Sequence, residues 1–446
     1  MKSRPWRAVV WAPAMLALSP SLAHAVGYEL EEQSVTNLGY AFAGAAHPED
    51  ASAMFFNPAG MSYLKGSEVA AGVNLIDVHA QFTNQGSISP AGPLFPLSGG
   101  NGGNPVGANW IPNLYFVTDV TPRTKFGFGI NSPFDLKTEY PSDWVGRYQA
   151  IESKVQTINI NPAISYAATN QLSVGAGVNF QYLKANLSNA IDFGAACFGS
   201  LFGPAACTSA GILPGTQDGI GKVSGDSWGT GFNFGLLYKI DANSTLGLAY
   251  RSSISHNTSG NANFTNPTLP GPFAAITAGV TNTTAHANLT VPDSLSANFS
   301  TLVAPNLTLL GDVTWDGWSK FRELRVRYDN GLPDTVDSEN WRNTVRVALG
   351  LGYDWSSDLK LRAGIHYEGS TVPDSTRDTR LPDDDHTLLA IGATYNFNKD
   401  NSLDFGYAHL WVKDAPVNHT LTGSGTVIGQ YKLSADIAGL QFRHRF

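Results

Sequence analysis

Apolar and polar side chains alternate with a period of two from about residue 67 to the end of the chain. In the stretch 341–355, Trp341, Tyr353 and Trp355 share one parity with four aliphatic residues, and polar or small residues occupy the other. The same pattern recurs in 171–183, 226–240 and 359–368. Alternation of this kind is typical of β-strands that have one apolar face, so we predict an all-β chain.

The connections between the predicted strands alternate in length. Six are short, at 120–124, 168–171, 241–244, 304–306, 356–358 and 398–401. Seven are long and rich in Gly, Pro, Ser and Asn, near 84–108, 132–150, 189–225, 257–282, 328–340, 369–385 and 413–428. Thirteen connections give fourteen strands and place both chain ends on one side. Short turns on one side and long loops on the other are typical of an outer-membrane barrel.

Two further features favour a barrel over a soluble β-sandwich, whose strands also alternate. Trp341 lies at one end of its apolar face and Tyr353 and Trp355 lie at the other, as in the aromatic girdles of membrane barrels. The chain ends in Phe446 on an alternating strand, which resembles the signal that barrel-assembly machinery reads. Because a sheet inside hydrocarbon must pair every backbone amide internally, we predict a closed antiparallel transmembrane β-barrel of about fourteen strands over residues 67–446.

Residues 1–25 have the pattern of a cleaved export signal. Three basic residues precede an apolar stretch of 11 residues, 8–18, and Ala23-His24-Ala25 supplies the cleavage pattern. The stretch is shorter than the ~20 residues of a spanning helix, and an uncleaved anchor is the alternative. Without these three basic residues the net charge falls from −8 to −11, which argues against binding to nucleic acid. The predicted destination is the bacterial outer membrane.

Residues 26–66 lack the two-residue period and are predicted to form an N-terminal hatch. They are rich in small residues, are mildly helical, and end in Asn57, Pro58, Ala59 and Gly60. The lumen of a barrel of this size would be an open aqueous channel unless something filled it. The apolar residues of this segment suit a plug inside the barrel better than the alternative, a periplasmic tail.

Little in the sequence indicates catalysis or a bound metal. The motifs GxSxG and HExxH are absent, and no cofactor is expected. Cys197 and Cys207 are the only two cysteines and lie ten positions apart in one predicted loop. In an exported chain this pair predicts a disulfide rather than a metal site. The acidic run 383–385 before His386 is predicted to be a solvated loop edge, and a site for a divalent cation is the alternative.

Loops 3 and 4, counted among the long connections, carry more apolar residues than exposed loops usually do. Among them are Phe198, Phe202 and Leu213 in loop 3 and Phe273 in loop 4. Exposed apolar patches commonly mark binding sites, so these residues are candidates for ligand capture. The alternative is that the two loops pack on each other over the barrel mouth.

Several segments resemble the FadL/TodX-type (OMPP1) family of outer-membrane transporters of long-chain fatty acids and hydrocarbons. They are NPAG at 57–60, GINSPF at 129–134, DWVGRYQA at 143–150, WGTGFNFGLLYKID at 228–241, LGLAYRS at 246–252, WSKFRELR at 318–325 and TVPDSTRDTRLPDDD at 371–385. The resemblance covers essentially all of 26–446. It implies a fourteen-strand barrel plugged by an N-terminal hatch, with a kinked third strand through which a hydrophobic ligand leaves sideways.

The kink of the third strand would fall at Asn131, Ser132, Pro133 and Phe134. Proline cannot donate to a β-ladder and is confined to the edges or breaks of a sheet. Pro133 therefore gives a physical reason for a lateral gate at this point. The alternative is that Pro133 simply begins the loop that follows.

The resemblance also implies basic partners for a fatty-acid head group, at Lys184 near the end of strand five and at Arg325 on strand nine. The leading hypothesis is transport of long-chain fatty acids by capture at loops 3 and 4, binding near the hatch and lateral exit. Aromatic or alkane hydrocarbons are the alternative cargo, and an outer-membrane lipase and a water-filled porin are further alternatives. The expected partners are a hydrophobic small molecule, outer-membrane lipid and lipopolysaccharide, and the assembly machinery during biogenesis. We expect a monomer.

Overall fold

The protein is described by a computed structural model over residues 28–446, so the predicted export signal at 1–25 lies outside the described residues. Fourteen antiparallel strands form one sheet, and six of them are interrupted once. Their bounds are β1 Glu68–Asn84; β2 Gly107–Thr121; β3 Thr124–Asn131 with Asp135–Glu139; β4 Glu152–Ala167; β5 Leu172–Asp192; β6 Asp218–Lys239; β7 Ser244–Arg251 with Ile254–Thr265; β8 Thr283–Val291 with Ser294–Ala304; β9 Leu307–Asp316 with Glu323–Tyr328; β10 Thr335–Ser338 with Thr344–Asp354; β11 Leu359–Glu368; β12 His386–Asn396; β13 Asn401–Val412 with Ala415–Leu421; β14 Gly425–Arg445. The predicted fold class and strand number are confirmed.

The sheet closes on itself. Each strand pairs with the next along the chain, and β1 also pairs with β14, from Glu68 opposite Arg445 to Asn84 opposite Gly429. The register brings apolar residues of neighbouring strands side by side, as where Ile365 on β11 lies opposite Leu349 and Leu389. Each of these three side chains is about half exposed, as expected for a wall that faces lipid.

The aromatic girdle was predicted correctly at one end of β10 only. Tyr353 and Trp355 lie on the outer face, where they are 39% and 65% exposed. Trp341 instead packs inside the barrel, with its ring centroid 5.0 Å from that of Trp318. Its assignment to the girdle is wrong because β10 is interrupted between Ser338 and Thr344, and strand parity does not carry across an interruption.

The segment 28–66, called the hatch from here on, lies inside the ring of strands. It contains two short helices, α1 (Val35–Leu38) and α2 (Ala53–Phe56), and a 3-10 helix at Pro58–Tyr63. Asn57 begins the 3-10 helix by accepting a hydrogen bond from the Ala59 amide at 3.1 Å. Its Nδ2 atom donates to the carbonyl groups of Leu236 on β6 and Leu248 on β7, both at 3.2 Å. One asparagine thus starts the helix and ties it to the wall.

The hatch backbone comes closest to the wall at glycines on the inner face. A Cβ atom added to Gly364 on β11 would lie 2.7 Å from the Ala41 nitrogen, and one added to Gly175 on β5 would lie 2.5 Å from the Ala59 nitrogen. Further strands bring a glycine to the hatch in the same way, at Gly127, Gly235, Gly350, Gly392, Gly406 and Gly439. These positions lack a side chain because the hatch occupies the space that it would need.

Buried polar contacts hold the same segment. Glu49 accepts from Lys360 at 2.8 Å and pairs with Arg362 on β11. The Nε2 atom of Gln441, on the last strand, donates to Asp50 at 3.1 Å and to Thr36 at 3.3 Å. Since a buried charge is costly unless it is paired, these contacts fix the position of the hatch rather than merely filling the lumen.

Most long loops are shorter than predicted because several strands continue beyond the lipid-facing band, whereas loop 6 has its predicted bounds, 369–385. Loop 3 spans 193–217 rather than 189–225, and it contains α3 (Phe193–Phe198) and α4 (Gly203–Ser209). Loop 4 contains a 3-10 helix at Gly271–Ala274 followed by α5 (Ala275–Ala278). Among the residues that the structure describes, no helix is long and apolar enough to cross a membrane.

Candidate functional site

The third strand is broken where Pro133 stands. Asn131 ends the first segment of β3, Ser132, Pro133 and Phe134 form the break, and the second segment starts at Asp135. The backbone of the break bonds to the hatch: the Leu30 amide donates to the Pro133 carbonyl at 2.8 Å. The side chain of Gln33 donates to the Ser132 carbonyl, also at 2.8 Å.

The break leaves a gap in the wall between β2 and β3. Pairing between these strands ends at Leu114 opposite Ile130. Beyond it, the second segment of β3 pairs with β4 alone, and the rest of β2 pairs with β1. Asn109 on β2 donates to Asp135 on β3 across the gap at 2.8 Å. At the position of the predicted lateral gate, therefore, the facing edges of β2 and β3 do not pair.

An apolar cavity of about 840 Å³, called the upper cavity, lies inside the barrel on the loop side of the hatch. Its wall is built from inward-facing residues of β3 to β9, among them Leu136, Val155, Leu183, Ala185, Ala287, Leu289, Leu324 and Val326. Tyr28, the first described residue of the hatch, forms one side and packs edge to face on Trp318 at 5.0 Å.

The polar end of the upper cavity is formed by Glu339, Asp378 and Arg380. The guanidinium of Arg380 donates to the Ser153 hydroxyl at 2.9 Å and to the Gln149 carbonyl, both uncharged partners. Among the described residues that line this cavity, it is the only lysine or arginine. A ligand with an apolar chain and an anionic head would find both of its requirements here.

Glu339 and Asp378, the two carboxyl groups beside Arg380, lie on the loop side of the apolar residues with which β10 faces lipid. Burial raises the pKa of Glu339 well above its usual value, and the neighbouring Asp378 and Asp337 raise it further. Burial also raises the pKa of Asp378, with Asp337 as a second cause. Proton uptake by these carboxyl groups leaves the positive charge of Arg380 to dominate the polar end.

Asp337, Glu339 and Asp378 bring carboxylate oxygens within 4.8 Å of one another. All three already have protein partners. Asp378 accepts hydrogen bonds from the backbone amides of Arg380 and Leu381 at 3.0 and 3.1 Å. Asp337 pairs with His419 at 3.0 Å, and Glu339 accepts from the indole nitrogen of Trp341 at 2.8 Å. We therefore assign the cluster to the polar end of the cavity and not to a metal.

A second cavity of about 1080 Å³, called the lower chamber, lies beside the gap in the wall. Hatch residues 29–32, the second segment of β3 and inward residues of β1 and β11 to β14 line it. Leu136 and Leu381 line both cavities, so these two side chains separate the upper cavity from the lower chamber. The upper cavity and the lower chamber thus lie one after the other between the loop side of the barrel and the gap in the wall.

The structure contradicts the assignment of Lys184 and Arg325 as head-group partners. Lys184 is exposed, and its neighbours Leu183 and Ala185 line the upper cavity. Arg325 likewise points outward, where it pairs with Glu323 at 2.6 Å and Asp334 at 2.9 Å. Both assignments are wrong for the same reason: each residue has the outward parity of its strand.

The apolar residues of loops 3 and 4 pack on each other. The disulfide between Cys197 and Cys207 joins α3 to α4 with a Cα–Cα distance of 6.1 Å. The rings of Phe202 and Phe273 lie 4.7 Å apart, and that of Phe198 lies 5.2 Å from Phe95 of loop 1. Leu213 is 39% exposed. Three of the four predicted capture residues, Phe198, Phe202 and Phe273, therefore belong to one loop cluster, which remains partly accessible from outside.

The acidic run before His386 is not a solvated edge, and this expectation was wrong. Asp384 is 4% exposed and pairs with Arg377, itself 1% exposed, at 2.9 Å. His386 lines the lower chamber. The run is folded inward because loop 6 covers the barrel mouth and needs buried charge pairs to do so.

Sequence reasoning missed the residues that form the cavities. Arg380 lies inside the segment 371–385 that the sequence analysis recognised as family-like, but no role was assigned to any residue there. Tyr28 and Trp318 carry no sequence signal, since an aromatic residue near a strand end is equally compatible with the outer girdle. His366 lies on the polar parity of the stretch 359–368, and no role was predicted for it.

Known proteins resemble this chain over nearly its whole length. A family model described as outer membrane protein transport protein (OMPP1/FadL/TodX) matches residues 16–446. A long-chain fatty acid transport protein of Escherichia coli O6:H1 is 30% identical over 405 residues, which cover 89% of each chain. The crystal structure of a Pseudomonas aeruginosa FadL homologue superimposes with a TM-score of 0.86 at 23% identity and covers 94% of this chain and 100% of that one. The Pseudomonas putida toluene transporter TodX has the same fold, with a TM-score of 0.68 at 18% identity over 95% and 100% of the two chains.

Proposed function

The chain belongs to the OMPP1/FadL/TodX family of outer-membrane transport proteins, and from this premise we propose that it carries long-chain fatty acids across the outer membrane. The observation that carries the proposal is the upper cavity, an apolar sleeve with the cation Arg380 at one end. A relative that is 30% identical over most of its length is named a long-chain fatty acid transport protein, which supports the same cargo.

The proposed route has three steps, which are capture, binding and exit. The loop cluster around Phe202 and Phe273 takes the apolar chain from outside, because its rings remain partly exposed. The upper cavity then binds the chain along its apolar wall and the carboxylate at Arg380. From there the ligand passes Leu136 and Leu381 into the lower chamber and leaves through the gap between β2 and β3.

No energy source is needed for this route. Burial of apolar chain contributes about 0.8 kcal/mol per CH₂ group, so binding in the sleeve is favourable for a long chain. The lateral gap returns the ligand to an apolar environment, the lipid beside the barrel. Diffusion down a gradient is sufficient if the fatty acid is consumed inside the cell.

The test is substitution of Arg380. Arg380→Ala is expected to weaken binding of a C16 carboxylate roughly tenfold or more, since hydrogen bonds to charged groups contribute about 1.5–3 kcal/mol. Calorimetric titration of the purified protein in nanodiscs measures this. Lys184→Ala and Arg325→Ala remove a cation of the outer wall and serve as matched controls that should bind as the unaltered protein does.

The same experiment separates the alternative cargo. Toluene and alkanes carry no charge, so a channel for hydrocarbons would bind them equally well with or without Arg380. Loss of carboxylate binding in Arg380→Ala together with unchanged alkane binding supports a fatty-acid carrier. Equal carboxylate binding by Arg380→Ala and the two controls would rule out the proposed head-group site.

A further inference from the structure

The lower chamber differs from the upper cavity in the charge of its polar end. Three hatch carboxyl groups line it, at Glu29, Glu31 and Glu32, with Lys137 at the edge of the gap. Glu31 pairs with Arg346 behind it. Glu32 is 8% exposed and forms no ion pair with any described residue. Burial raises the pKa of Glu29 and of Glu32 to about 7. An anionic head group that entered the chamber above this pH would therefore meet negative charge.

His366 on β11 is the second feature of this polar end. It is 3% exposed, it lines the chamber, and neither ring nitrogen has a hydrogen-bond partner among the described residues. The Oε2 atom of Glu31 lies 3.8 Å from Nδ1, beyond hydrogen-bond distance. The His386 ring lies 5.5 Å from it, centroid to centroid, and also lines the chamber. A buried polar side chain without a partner is costly, and one that faces a cavity can be satisfied by a ligand. A neutral imidazole offers one donor and one acceptor nitrogen.

The part of the wall formed by β1 and by β12 to β14 is largely aliphatic. Ile76 and Val78 of β1, Leu388 of β12, Leu410 of β13, and Leu433 and Ile437 of β14 face the chamber. A chain could therefore lie along these strands while its head group meets His366. The lining thus combines an apolar wall, an unpartnered imidazole and an unpaired carboxyl group.

We propose that the lower chamber is a second binding site, selective for an aliphatic molecule with an uncharged hydrogen-bonding head, that is, a hydroxyl or a protonated carboxyl group. His366 exchanges hydrogen bonds with the head, and Glu32 excludes anions by repulsion. The proposal rests on the proposed function in taking the chamber as part of the transport route. It adds that cargo enters the chamber uncharged, so that long-chain alcohols are ligands in their own right.

The test uses photolabelling of the whole barrel in nanodiscs at pH 9, where Glu32 is ionised, with two C16 probes that carry a diazirine in the chain. One probe is an alcohol, and the other is a sulfonate, which stays charged at every working pH. Mass spectrometry locates the labelled residues. Leu388 faces the chamber, while its neighbour Leu389 is 50% exposed on the outer wall, so lipid-facing label is read separately in the same peptide.

The alcohol is expected to label Leu388 saturably, with competition by unlabelled alcohol and an apparent affinity at least about tenfold above that of the sulfonate. His366→Leu should weaken labelling by the alcohol roughly five- to tenfold, as expected for loss of a hydrogen bond. Glu32→Gln keeps the hydrogen-bonding capacity and should bring the sulfonate close to the alcohol. His79→Leu is the matched control, because His79 is exposed on the outer face of β1.

Three results would overturn the proposal: label at Leu389 without competable label at Leu388, equal labelling by both probes in the unaltered protein, or no change in either variant.

Failure of this proposal is distinguishable from failure of the proposed function. Arg380→Ala tests the upper cavity with a carboxylate and should leave alcohol labelling of the chamber unchanged. Should His366→Leu fail to fold, Glu32→Gln alone decides, because only the sulfonate should respond to it.

Discussion

Replacement of Gly364 by alanine tests whether the hatch is seated where the structure places it. The added methyl group would lie 2.7 Å from the Ala41 nitrogen and closer still to the Tyr40 carbonyl. Ordinary contacts need about 3.4 Å, so the two backbones must move apart by at least roughly 0.7 Å. A flexible side chain could rotate away from such a clash, but the atoms that are met here belong to backbone.

The clash falls on a turn that has little freedom to adjust. Ala41 and Phe42 both have positive φ angles, 50° and 66°, which already cost free energy for residues with a Cβ atom. Overpacking of this kind costs about 1–3 kcal/mol. If the whole cost falls on the seating of the hatch, the ratio of seated to displaced hatch drops by roughly 5- to 150-fold.

Ion conductance across a planar bilayer measures the displaced state, because the lumen conducts when the hatch leaves it. We expect Gly364→Ala to open more often than the unaltered protein and its hatch to be cut faster by added protease. Gly221→Ala on β6 is the matched control, since its methyl group would meet its nearest neighbour, Phe264, at an ordinary 3.4 Å. Equal conductance and protease resistance in all three proteins would refute the seating of the hatch against β11.

Two further predictions concern the loop side of the barrel. Since the pKa values of Glu339 and Asp378 are raised, both groups lose protons as pH rises and place negative charge beside Arg380. The affinity of a C16 sulfonate for the upper cavity should therefore fall several-fold from pH 5 to pH 8 by calorimetry, less so in Glu339→Gln, and a rise would contradict this. Replacement of Cys197 and Cys207 by serine removes a constraint of about 3 kcal/mol on loop 3, so protease should cut that loop faster while the unfolding temperature of the barrel stays the same. A fall in that temperature would show that the disulfide supports the barrel itself.

Most of the barrel was predictable because membrane walls repeat a simple rule. Each strand must show apolar side chains to lipid, so the period of two and the lengths of the turns define the number of strands. The break at Pro133 was predictable for a different reason, because proline cannot take part in a ladder. In both cases the chemistry of a single position or of a single strand is sufficient to predict the structure.

The binding residues were not predictable, because they depend on which face a residue takes. A shift of one position moves a side chain from the lumen to the outer wall. Resemblance to a family placed Lys184 and Arg325 on the correct strands. Both residues face outward, however, where water and neighbouring carboxylates stabilise their positive charge. Arg380 is supplied by a loop that folds back into the barrel, and no period predicts where such a loop will end.

The contacts of the hatch have a consequence for how the protein is assembled. The N-terminal segment is exported first, yet Thr36 and Asp50 find their partner in Gln441, five residues from the end of the chain. Contacts between such distant residues form late, because a long loop must close before they can form. The hatch can therefore take its final position only after β14 has paired with β1 and closed the barrel.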